Sequence, residues 1–226
     1  MFGLTGFGAA LVTIPLALHF VPLQFALALF ALSDLGAALR VGFEKPKNAV
    51  KAEWMRLVPM ILLGTALGVT LLVNMPRAAG MFALGAFVFG YALYGLFRHE
   101  AGRTISAGWG WIAGLAGGIT STVFGAGGPP YAIYLSQRGL SKEQFRATMG
   151  FATLTSISLR VTAFLLTGIL LDVKVWLVAI GVVPAAQLGI FVAQRMFLKI
   201  SREQLLRAVA VVLLATGGSL VVRSLG

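Results

Sequence analysis

Gly117-Gly118-Ile119-Thr120-Ser121-Thr122-Val123-Phe124-Gly125-Ala126-Gly127-Gly128-Pro129-Pro130 is the stretch on which the fold turns. It sits inside an apolar run, 109–135, whose ~27 residues exceed the ~20 that one helical crossing of a bilayer needs. Two consecutive prolines cannot continue a regular helix, because each lacks an N–H and its ring clashes with the preceding turn. The glycines around them let the backbone turn sharply and approach other groups closely. The run therefore reads as two half-helices with a break at 125–130. A break of that kind is tolerated at membrane depth only where protein or a water-filled cavity covers it.

The rest of the chain has the same character. Of its 226 residues, 58% are apolar and only 11% charged, whereas a globular domain carries roughly 25% charged residues. The mean hydropathy is +0.92. Apolar segments run at about 2–20, 22–41, 57–74, 78–97, 109–135, 147–171, 175–194 and 208–222. They are too long for the strands of a soluble sheet and lack the period-two alternation of a membrane barrel, so they read as helices that satisfy their own backbone groups in lipid. Met1-Phe2 opens directly into apolar sequence with no basic stretch or processing site, and no signal peptide is expected.

Eighteen Lys and Arg against seven Asp and Glu give a net charge of +11. The basic residues lie in short loops between apolar runs and not on an amphipathic face interleaved with aromatics, which argues against nucleic acid as a partner. The chain has no cysteine, which removes thiolate metal sites and Cys nucleophiles.

The sequence also repeats. Val58-Pro59-Met60-Ile61-Leu62-Leu63-Gly64 matches Val183-Pro184-Ala185-Ala186-Gln187-Leu188-Gly189. In the same order Leu39-Arg40 matches Leu159-Arg160, and Phe7-Gly8-Ala9 matches Phe124-Gly125-Ala126. Two homologous halves follow, 1–98 and 109–226, joined by a linker at 99–108.

Loop charge bears on topology. If every apolar segment crossed, the basic loops 42–56 and 98–107 would face 136–146 and 195–207 across the membrane, against the tendency of positive loops to share the cytoplasmic side. If 109–135 instead enters and leaves on one side, those four loops fall together and hold 13 of the 18 Lys and Arg. The expected fold is thus an all-α integral membrane protein of two inverted repeats. Each repeat is a broken, re-entrant Gly-rich element plus three transmembrane helices.

Candidate binding residues cluster at the break. Free N–H groups at a half-helix start attract anions, aided by the helix dipole, which nominates Gly125, Gly127 and Gly128, and Pro129 joins them because proline leaves carbonyls without intrahelical partners. Thr120, Ser121 and Thr122 add hydroxyls. Gly114 and Gly118 form a small-x-x-x-small pair better explained by helix packing. Asp34 and Arg160 occupy the middle of equivalent spans, where a charge costs ~2.5–3.5 kcal/mol and calls for a partner or a cavity. Arg160 is the expected counter-ion for an anionic substrate and Asp34 the candidate proton carrier; a buried pair that only locks the halves together is the alternative. Thr153, Thr155, Ser156 and Ser158, just before Arg160, either line a polar path or bond within their helix. Gln187 is a further candidate, and Gly8, Thr13 and Pro15 are the first-half counterparts of the broken segment. His19 and His99 are isolated and show no metal-ligand spacing, so no metal or cofactor is expected. Trp54, Trp109, Trp111 and Trp176 sit near span ends, where interfacial anchoring explains them.

Gly6-Phe7-Gly8-Ala9-Ala10-Leu11-Val12-Thr13-Ile14-Pro15 and the segment Gly118–Pro130 together resemble the sulfite exporter TauE/SafE family of membrane permeases. The second motif, with Phe124-Gly125-Ala126-Gly127-Gly128-Pro129, is the more specific; in the first, Ala9, Ala10 and Leu11 stand where the family shows more glycine. The resemblance implies transport of a small anion, sulfite or an organosulfonate, across the bacterial inner membrane by a multi-pass protein. Such a transporter works by alternating access, and a homodimer is compatible with it. No ATP-binding motif is present, so a secondary transporter is expected. The competing readings are a membrane-embedded enzyme, for which the sequence offers one intramembrane Asp and no His partner, and a structural subunit whose glycines serve assembly.

Overall fold

The computed structural model describes residues 9–43, 46–97, 104–196, 211 and 214–219. Among these residues the chain is helical with no strand. The helices are α1 (Ala9–Ala17), α2 (Leu23–Gly42), α3 (Lys51–Asn74), α4 (Arg77–Phe97), α5 (Trp109–Phe124), α6 (Gly128–Ser136), α7 (Lys142–Leu166) and α8 (Val173–Met196). Short 3₁₀ turns occupy Pro46–Asn48 and Ile169–Leu171, and residues 214–219 are helical. The 109–135 run is divided as its glycines and prolines require. Two other helices begin before their apolar stretches do, α3 at Lys51 and α7 at Lys142, because amphipathic first turns extend them. Ser141 caps α7 through a reciprocal box with Gln144 (3.2 and 3.0 Å).

Helices α3 and α7 are each long and apolar enough to cross a membrane, and shorter apolar helices span Leu23–Leu39, Ala78–Tyr94 and Val173–Ala186. α3 buries Leu57, Ile61, Gly64, Thr65 and Gly68 on one face and exposes Leu62, Leu63, Leu67 and Leu71 on the other. α8 likewise exposes Leu177, Ile180 and Leu188. An apolar outward face of this extent suits hydrocarbon rather than water.

Packing fixes the directions. α3 and α5 run parallel with their backbones touching: a Cβ on Gly114 would stand 2.7 Å from the Leu57 carbonyl, one on Gly118 2.6 Å from that of Ile61, and one on Gly68 2.8 Å from the Thr122 side chain. Small residues from both helices thus make one close helix crossing. α2 and α7 run antiparallel, from Gly42 beside Gly150 and Leu154 at one end to Asp34 beside Arg160 further in. α5 and α6 fold back on each other as a hairpin. Gly110 meets Tyr134, Gly117 seats the Tyr131 ring, and Gly127 lies against the Gly117 carbonyl and Ser121. At the hairpin's base the Ile105 N–H donates to the Gln137 carbonyl (3.1 Å). The α2–α3 connection arrives at the same end, where the Val50 N–H donates to Thr148 Oγ1 (2.9 Å).

Candidate functional site

At the hairpin tip α5 ends at Gly125, whose φ of 68° lies in the left-handed region that a side chain disfavours. The Gly125 N–H donates to the Ser121 carbonyl (3.0 Å) and the Ala126 N–H to that of Thr120 (3.1 Å), so the broken helix caps its own last turn. Pro129 and Pro130 then start α6, where a missing N–H breaks no helical bond.

Arg160 reaches this tip from α7 and is completely buried. Its Nη1 donates to the Ser121 carbonyl (2.8 Å) and its Nη2 to Asp34 Oδ2 on α2 (3.1 Å). A third donor, Nε, is buried without a partner. One guanidinium therefore joins α2, α5 and α7, in contact with the break itself. A Cβ at Gly125 would stand 3.3 Å from Arg160 Nη1 and would also press on Ile14 of α1. Helix α1 thus meets the break at Gly125.

The residues expected at the site divide into several groups. Ser121, Gly125, Arg160 and Asp34 are brought together. Gly127, Gly128 and Pro129 are buried in the turn and first residues of α6. Thr120 and Thr122 turn their hydroxyls onto the α5 carbonyls of Ala116 and Gly118 (both 2.9 Å). The group that Ser121 gives Arg160 is its backbone carbonyl, where a hydroxyl had been expected; that oxygen accepts from the Gly125 N–H and has a second lone pair for the guanidinium. Thr13 is exposed on α1 and is not among the partners of Arg160. Gly8 and the Gln187 side chain lie outside the described residues.

Sequence reasoning passed over Tyr131. Its ring, fully buried on Gly117, carries the hydroxyl to Ser156 Oγ on α7 (3.1 Å). The available signal was Gly117 itself, which stands outside the Gly114–Gly118 spacing and needed another reason to be small.

A second polar cluster, also unforeseen, closes the hairpin base. Glu53, only 5% exposed, accepts from Arg56 Nη1 (2.9 Å), from Arg138 Nε and Nη2 (3.1 and 2.9 Å) and from the Tyr134 hydroxyl. Arg138 Nη1 also donates to the Ile105 carbonyl. The hydrogen bonds it donates to Glu53 raise Arg138 above its already high ordinary value, so this arginine stays charged. An acid set between Lys51 and Arg56 was the clue. Nearby, Trp54 Nε1 donates to Thr155 Oγ1 (3.0 Å), which makes Trp54 a tie between α3 and α7 as well as an edge residue.

A match to the family described as sulfite exporter TauE/SafE covers residues 1–220. The chain belongs to the TauE/SafE family. No curated protein and no solved structure matches it. TauE/SafE proteins are membrane transporters, not enzymes. The matched residues include the hairpin and its Arg160 contact.

Proposed function

We propose that this TauE/SafE protein is a secondary transporter that moves a small anion, sulfite or a short organosulfonate, across the bacterial inner membrane by alternating access. The observation that carries the reading is Arg160. A full charge buried at a helix break, shared between one carboxylate and one carbonyl, keeps an N–H donor in reserve. In this reading Asp34 stands in for the anion when the site is empty. A substrate anion displaces the carboxylate from the guanidinium, and a proton taken up by Asp34 eases the exchange. Ionisable residues within membrane spans mark substrate and ion pathways, and a buried ion pair is by itself weak evidence of a stabilising role.

The inverted-repeat architecture is supported by the direction of the helices. α2 and α7, equivalent through Leu39-Arg40 and Leu159-Arg160, run antiparallel. Pro59 and Pro184 lie inside the equivalent helices α3 and α8. Re-entry of the hairpin is supported by its base, where Ile105 and Gln137 are hydrogen-bonded, and by the basic Lys47, Lys51, Arg56, Arg138 and Lys142 that this end gathers. In this reading that end faces the cytoplasm.

Flux of labelled sulfite and sulfoacetate into proteoliposomes tests the transport reading. Wild-type protein is expected to carry at least one of them, and Arg160→Gln to abolish the flux while the protein still inserts. Equal flux in the variant removes Arg160 from the site. Asp34→Asn is expected to remove any dependence on a pH gradient.

A further inference from the structure

Arg160 stands much nearer one end of its helix than the other. α7 stops at Leu166, ~9 Å of helix rise past Arg160, but runs back ~27 Å to Lys142 at the hairpin-base end. The short way to water from the guanidinium therefore leads past the hairpin tip.

That way is filled with apolar side chains. Phe164, one turn beyond Arg160 on α7, is fully buried, and so is Ile14 of α1. Ile14 and Ala10 of α1 face Gly125, where a Cβ would stand 3.5 Å from that of Ala10. Phe124, the last residue of α5, is buried and stacks on Phe87 of α4 with ring centroids 5.3 Å apart. All five belong to one apolar cluster. A fully buried charge with an unused Nε donor is thus separated from its nearest surface by a dry plug.

The plug is held differently from the rest of the site. α3 and α5 touch backbone to backbone, and Arg160 hydrogen-bonds to both α2 and α5. α1 and α4 meet the break through Ile14, Ala10 and Phe87, and such apolar contacts have no preferred direction. Parting them breaks no hydrogen bond. α1 is also only nine residues long and holds Pro15, which deprives its helix of one internal bond. An apolar constriction excludes ions while it is dry and admits them once it is wide enough to wet.

We infer that Ile14, Phe87 and Phe124 form the gate between the anion site and the membrane face beyond the hairpin tip. It is shut in this structure and opens by displacement of α1 and α4, while the hairpin stays clasped at its base. The inference deepens the transport reading and rests on Arg160 as the anion's counter-ion. Selection stays with Arg160; the plug decides when the site meets water.

The test uses full-length protein in oriented proteoliposomes carrying Ala126→Cys, a position buried in the same cluster. A membrane-impermeant thiol reagent is added from the tip side. Phe87→Ala, which trims a partly exposed ring, and Ile14→Ala, which empties a fully buried position, are each expected to speed labelling. The expected gain is about tenfold or more, since a factor of ten needs about 1.4 kcal/mol, the scale of one lost apolar side chain. Sulfite binding to the same variants is expected to persist, because both leave Arg160, Asp34 and Ser121 in place. Should Ile14→Ala fail to insert, Phe87→Ala decides alone. Labelling at the wild-type rate, labelling that rises equally from the base side, or loss of sulfite binding overturns the gate while the Arg160 site of the wild type stands. Sulfite binding that ignores Arg160→Gln overturns the underlying site as well.

Discussion

The α5–α6 hairpin carries an arginine–carboxylate cluster at each end, and the two are built on opposite principles. At the base, Glu53 is over-provided: two arginines and a tyrosine converge on it, and Arg138 also caps the Ile105 carbonyl. At the tip, Arg160 is under-provided, with one carboxylate, one borrowed carbonyl and an idle Nε. Redundant bonds near water suit a clasp that must hold. A lean pair in a dry interior suits a group that must change partners, since there each unmade bond weighs most. The same two residue types thus serve fastening in one place and exchange in the other.

Breaking the tip should have the largest effect. Arg160→Gln leaves Asp34 buried without its partner, which is expected to cost about 3–5 kcal/mol of stability as well as transport. Asp34→Asn together with Arg160→Gln should recover much of that stability and none of the flux, as read by thermal melting in detergent beside proteoliposome uptake. A double variant no more stable than the single one would mean that the pair is not coupled. Next comes Gly125→Ala, which forces a side chain into the left-handed region and against Ile14. A loss of about 1–2 kcal/mol from backbone strain is expected, with impaired transport because the Arg160 contact shifts. The base should yield least. Arg56→Ala removes one of several partners of Glu53, and because Arg56 itself is exposed to solvent the expected loss of about 0.2–1 kcal/mol shrinks further in high salt. A loss as large as that of Arg160→Gln would erase the contrast between the two ends.

How much of this was legible in the sequence follows the same divide. The break was readable, because prolines and glycines act on the backbone locally and Pro129-Pro130 admit few conformations. Arg160 and Asp34 were readable because charge is rare in apolar spans. The clasp was not: Glu53, Arg138 and Ile105 lie far apart in the chain, and only the fold-back of α5 on α6 together with the packing of α3 along α5 unites them. Tyr131 hid for a different reason, since an aromatic in an apolar run announces packing and not the hydroxyl at its tip.

The most direct test of the hairpin account uses the absence of cysteine from the native chain. Single cysteines at Ser106 and Gly139, exposed on either side of the hairpin base, can be labelled from one face of oriented vesicles with a membrane-impermeant thiol reagent, with a third at Ala126 in the tip. Labelling of positions 106 and 139 from the same face, with position 126 protected, is the result the account predicts. Labelling of positions 106 and 139 from opposite faces would contradict it, since the segment would then cross the membrane and its tip could not present Arg160 at a re-entrant break.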